Sequence, residues 1–118
     1  MERNVEPSPA PEAMREEIKI MIEQIGPIAF KMMGAKRIVY NNARTMLQWQ
    51  MGSGAKCDVV QLFYVAEHDL YTLRFVTYIP NREAIKDDKT LTMIQADDLE
   101  RFIEEQTGFY LSFRLHTS

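Results

Sequence analysis

Two apolar runs, "CDVVQLFYVA" (residues 57–66) and "LYTLRFVTYI" (70–79), stand with only Glu67, His68 and Asp69 between them. Both are rich in β-branched and aromatic residues, the composition of strands. Parallel neighbours need a crossover of about a dozen residues or more, so so short a link allows only a hairpin. This spacing commits the centre of the chain to an antiparallel sheet.

The same reading extends outward. "KRIVYNNARTMLQWQM" (36–51) is a strand, a turn and a strand, with Asn41-Asn42 expected to supply positive φ at the turn. On the second strand Thr45, Leu47, Trp49 and Met51 face one way, and Met46, Gln48 and Gln50 the other, as in a sheet buried on one face. "GSGAK" (52–56) is a flexible connection. Pro80-Asn81 ends the long hairpin, "NREAIKDDK" (81–89) reads as a polar loop, and "TLTMIQ" (90–95) as a short edge strand. In "FYLSFRL" (109–115), Phe109, Leu111, Phe113 and Leu115 share a face, as in a last strand or an extended tail.

Helices flank this β region. Between Glu12 and Ile25, Met14, Ile18, Met21, Ile22 and Ile25 make one apolar stripe, with Pro11 tolerated in the first turn. Gly26-Pro27 stops that helix, and Pro27 opens a shorter one through Ile28, Phe30, Met32 and Met33. Gly34 is placed as its left-handed cap. Near the end, Asp97 is expected to cap a helix that turns Leu99, Phe102 and Ile103 inward, pairs Asp97 with Arg101, and stops at Thr107-Gly108. The expected fold is α+β: an antiparallel meander of about four to five strands with N-terminal and C-terminal helices packed on one face.

A chain of 118 residues suits one domain with its own core. Residues 12–118 are assigned to it. Residues 1–11 contain Pro7, Pro9 and Pro11 among acidic residues and read as a disordered leader rather than a signal peptide. No apolar run reaches membrane-spanning length. Cys57 is the sole cysteine, which excludes an internal disulfide and any site built on several thiolates. Its presence alone fits a reducing compartment, so the expected location is cytoplasmic.

Charge is segregated. The net charge is −3, yet residues 24–57 contain no Asp or Glu and carry +5 from Lys31, Lys36, Arg37, Arg44 and Lys56. Residues 1–23 carry −3 and residues 58–118 carry −5. A basic region on an acidic body is the electrostatic signature, and these five side chains are the candidate surface for a partner. With Tyr40 and Trp49 as stacking rings, nucleic acid is the alternative ligand of this segment, although Trp49 between Leu47 and Met51 reads better as core.

The stretch "IEQIGPIAFKMMGAKR" (22–37) also resembles the start of a family of small uncharacterised bacteriophage and prophage proteins. Gln24, Ile25, Gly26, Phe30, Met32, Gly34, Ala35 and Lys36 match, and Met33 stands where Thr is frequent. "ADDLERFIEEQTGFYLSF" (96–113) is similar to the family's ending, and "DLYTLRF" (69–75) to its central strand. The likeness spans about residues 18–113. It implies a phage or prophage origin, a host-cytoplasm location, and no catalytic role that transfers to this chain.

Motifs for chemistry are sparse. A phosphate-gripping loop follows a strand and feeds a helix N-terminus, where free N–H groups meet the anion. "GAK" (34–36) instead follows a helix, so Lys36 and Arg37 complement a C-terminal dipole. Glu67, His68 and Asp69 are too close in sequence to converge as metal ligands. Cys57 with His68 and Asp69 would make a nucleophile, base and orienter, but Cys57 opens an apolar strand. Asp97, Asp98, Glu100 and Glu104 read as dipole partners at a helix start. No enzyme, cofactor or metal is expected. The expected function is an interaction protein that binds a protein partner or itself, through an adaptable surface from its eight methionines or through the edges "TLTMIQ" and "FYLSFRL".

Overall fold

The computed structural model describes residues 13–80, 84–109 and 111. The leader, Pro11 and most of "FYLSFRL" lie outside the described residues. Five strands, β1 (Lys36–Asn41), β2 (Met46–Gln50), β3 (Val59–Val65), β4 (Leu70–Tyr78) and β5 (Ile85–Ile94), form one sheet in chain order. Every neighbouring pair is antiparallel. Helices α1 (Glu16–Ile25) and α2 (Pro27–Met32) precede the sheet, and α3 (Leu99–Thr107) follows it. The fold is the α+β meander that the link lengths require.

Register shows why the sheet holds. Tyr40, Leu47, Leu62, Leu73 and Leu91 are successive cross-strand partners, and Trp49, Val60 and Phe75 form a second row beside them. Such directly opposed apolar pairs are the unit of sheet stabilisation. Onto these rows the helices lower Ile18, Met21, Ile25, Phe30, Leu99 and Ile103, all buried in the same core. Trp49 is fully buried, and the Phe30 ring meets it edge to face at 5.1 Å. The opposite face carries a polar ladder. Gln61 donates to Gln48 at 2.8 Å, Arg74 donates to Gln61 at 3.2 Å, and Arg74 grips Asp88 through Nε at 2.9 Å and Nη2 at 2.7 Å.

The α1 helix begins at Glu16 rather than Glu12, with Ala13 and Met14 non-helical. The cause is Asn42. Its side-chain amide donates to Ala13 O at 2.9 Å, and its Oδ1 accepts the Arg15 N–H at 3.0 Å. Backbone groups that would have extended the helix are held by the β1–β2 turn instead. Asn42 is therefore a clamp, and the expectation of positive φ at Asn41-Asn42 is corrected: the left-handed residue of that turn is Thr45, at φ 47°.

Two further expectations change. Residues 85–89 belong to β5, so the expected polar loop is shorter than residues 81–89. Lys86, Asp87, Asp88 and Lys89 are exposed on an outer strand, where both faces are wet and no apolar alternation is needed. Asp97 does not cap α3. The chain leaves β5 through a 3₁₀ turn (Ala96–Asp98), so the helix starts later, and Asp98 at its start is in the αR region without a side-chain cap. Arg101 pairs with Asp98 at 3.3 Å and with Glu105 at 3.9 Å, in place of the expected Asp97 pair.

The end of α2 is as expected and more constrained. Gly34 is left-handed at φ 62°, its N–H reaches Lys31 O at 3.0 Å, and the Ala35 N–H reaches Phe30 O at 2.9 Å. This is the paired Schellman cap. Gly52 then donates to Met33 O at 3.0 Å, and a Cβ on Gly34 would come within 3.2 Å of Gly52 Cα. Gly34→Ala is expected to cost about 2 kcal/mol, from left-handed strain plus this backbone approach. Gly54→Ala, also at positive φ but with open space around its Cβ position, is expected to cost about half as much. Urea unfolding of both variants checks the order.

Candidate functional site

The basic segment is divided by the fold. Lys31 on α2 and Lys36 at the start of β1 line an open depression of about 300 Å³ with Gly34, Gly52 and Phe109. Lys56 belongs to the same end: its N–H donates to Thr107 O at 2.9 Å, and its aliphatic chain lies against Gly108. Arg37 follows Lys36 in left-handed conformation at φ 52°, where the β1–β2 register shifts. Arg44 is elsewhere. Lys36 pairs with Gln50 at one end of the hairpin, Asn41 pairs with Met46 at the other, and Arg44 sits in the turn beyond. Its guanidinium lies over the Phe63 ring at 5.0 Å on the open sheet face. The structure thus gathers Lys31, Lys36 and Lys56 and separates Arg44 from them. Trp49, the strongest stacking ring of the segment, is inside the core.

An apolar edge is the feature that sequence reasoning missed. β1 borders β2 alone within the sheet, and its Ile38 and Val39 are 45% and 47% exposed. Ile28 and Met32, one turn apart on α2, are exposed as well. The other edge, β5, also exposes Ile85 and Met93, but Lys86, Asp87, Asp88 and Lys89 stand between them, a common protection against strand pairing. "IVY" was visible as strand sequence. The sequence places an edge at "TLTMIQ", which falls in the edge strand β5, but gives no sign that β1 is left with exposed apolar side chains, because that depends on what the helices cover.

The candidate chemical groups are dispersed. Cys57 precedes β3 and His68 follows it, so the whole strand separates them. Cys57 is buried, and its thiol is pushed up to about 11 by burial and by the neighbouring Asp58 carboxylate. Asp69, at φ 54°, accepts the Tyr64 hydroxyl at 2.6 Å. Glu104 accepts the Leu111 N–H at 2.5 Å, an end-of-helix tether. Among the described residues no three His, Cys, Asp or Glu side chains gather in a way that could hold a metal ion. No helix among them is long and apolar enough to cross a membrane.

Family models, curated proteins and solved structures all give no match to this chain. Its reading therefore rests on its own geometry.

Two side chains report on this geometry. Cys57 is expected to react with an aromatic disulfide reagent only as fast as the chain unfolds, and at once in denaturant. Fast labelling of the folded protein would contradict its burial. Tyr64 is pushed from 10.0 to about 12, first by its hydrogen bond to Asp69, then by burial and by nearby negative charge. Folding therefore favours the protonated hydroxyl. That contribution is complete below pH 10.0 and is lost as pH rises through about 12. Ultraviolet titration of Asp69→Asn is expected to show one tyrosine ionising closer to its ordinary value.

Proposed function

We propose that this chain is a small non-catalytic interaction protein, an accessory protein of the kind its phage and prophage resemblance implies, acting in the cytoplasm. Its partner is protein, in the first instance a second copy, joined by strand addition at β1. The exposed Ile38 and Val39 on that edge carry this reading. Strand addition supplies main-chain hydrogen bonds for affinity and side-chain contacts for specificity.

A two-fold antiparallel pairing centred on Val39 sets Val39 against its own copy, since opposed residues share a face of the sheet. It also sets Ile38 across from Tyr40, Arg37 across from Asn41 and Lys36 across from Asn42, so no cation faces a cation. The exposed Ile28 and Met32 extend the apolar surface onto α2, the helix that leads into β1. Nucleic acid is the second reading, favoured by Lys31, Lys36 and Lys56 at one end with Phe109. The distance of Arg44 from that cluster and the burial of Trp49 weigh against it.

Sedimentation velocity over a concentration series is expected to show a dimer that Val39→Lys returns to monomer, with the unfolding midpoint nearly unchanged. A wild-type monomer at every concentration overturns self-association. Retention on heparin at low salt, lost on replacing Lys31, Lys36 and Lys56 by Ala, would favour the nucleic-acid reading instead.

A further inference from the structure

A second surface lies between α1 and the β3–β4 turn. There a cavity of about 480 Å³ is lined by Glu17 and Gln24 from α1, by Tyr64, Asp69 and Tyr71 from the β hairpin, and by Gln95 beyond β5. Ile20 and Leu70 supply apolar wall. Its lining contains no lysine or arginine. The Tyr64 and Tyr71 rings are 5.3 Å apart and tilted by 52°, so they present two faces in different planes.

The lining also includes His68 of the β3–β4 turn; Glu17 and Asp69 are its acceptor-only groups, and the glutamines, the histidine and the tyrosine hydroxyls both donate and accept. Gln24 hydrogen-bonds the Tyr71 oxygen, where it favours the ionised form and so acts as donor. Its Oε1 is buried with no hydrogen-bond partner. That oxygen is closed off from solvent, so it forms part of the wall behind the cavity and is not a contact point within it. Asp69 holds the Tyr64 hydroxyl through Oδ1 alone. Among the described residues Glu17 pairs with Arg15, at 3.4 Å in an exposed geometry. Both carboxylates act on the Tyr64 hydroxyl, each holding it in its protonated form.

We propose that this cavity binds a small organic cation bearing N–H donors, a guanidinium or a primary ammonium. The Glu17 and Asp69 carboxylates supply charge and accept N–H donors, and the Tyr64 ring offers its face to a cation. An anion meets both carboxylates and, among the described lining residues, no lysine or arginine. A quaternary ammonium satisfies the ring but brings no N–H to the carboxylates. This site uses different residues from the β1 edge and stands or falls separately from it.

The test is an amide chemical-shift titration of the full chain with agmatine. Saturable shifts confined to α1, the β3–β4 turn and Ala96 are expected. Glu17→Gln and Asp69→Asn are each expected to weaken binding tenfold or more. Both should fold: Glu17 is a partly exposed side chain in the first turn of α1, and asparagine tolerates the left-handed conformation at position 69. Tetramethylammonium is expected to bind at least tenfold more weakly than agmatine. Blocked arginine amide distinguishes the source of the cation: tighter binding than agmatine assigns the site to an arginine side chain of a peptide, and weaker binding to a free small molecule. Shifts that spread over the acidic surface without saturating, equal binding of tetramethylammonium, or unchanged binding by both variants overturn the proposal.

Discussion

Everything on the helical side of the sheet depends on two glycine backbones in contact. Gly34 ends α2 in left-handed conformation, and a side chain on either Gly34 or Gly52 would strike the other's backbone. The Gly52 N–H completes the junction by donating to Met33 O. This contact fixes the end of α2 against the loop that follows β2. It thereby seats Phe30 against the Trp49 ring and starts β1 at Lys36. A Cβ at either position would force α2 and that loop apart by a few tenths of an ångström.

Residues of the stretches 22–37 and 96–113 have backbone tasks of this kind. Gly26 joins α1 to α2 at φ 86°, and Gly108 ends α3 at φ 83°. Buried Thr107 donates its hydroxyl to Ile103 O at 2.6 Å and accepts the Phe109 N–H at 3.3 Å. Glu104 holds Leu111, which is buried in the core. These residues specify a scaffold. What this scaffold leaves exposed includes the apolar β1 edge and a cavity flanked by the Glu17 and Asp69 carboxylates.

Much of this architecture was legible from local rules. The hairpin of β3 and β4, the Gly34 cap, the Gly108 stop and the inward face of Leu47, Trp49 and Met51 follow from link length, chirality and alternation. The errors share a cause. Asn42 was assigned to turn conformation, yet its side chain reaches Ala13 and Arg15, far away in sequence. Lys86 to Lys89 read as loop because an edge strand needs no apolar face. Asp97 lost its capping role to a 3₁₀ turn set by how the chain leaves β5.

The sequence by itself determined an antiparallel meander flanked by helices, and which glycines punctuate it, because those outcomes are governed by interactions within a few residues. Only the tertiary structure decided that β1 would be the apolar edge. It also split Arg44 from Lys31, Lys36 and Lys56, and brought Glu17, Gln24, Tyr64 and Asp69 around one cavity. Edges, clusters and cavities are properties of neighbours distant in the chain. Strand order and helix docking create them, and no local pattern encodes either.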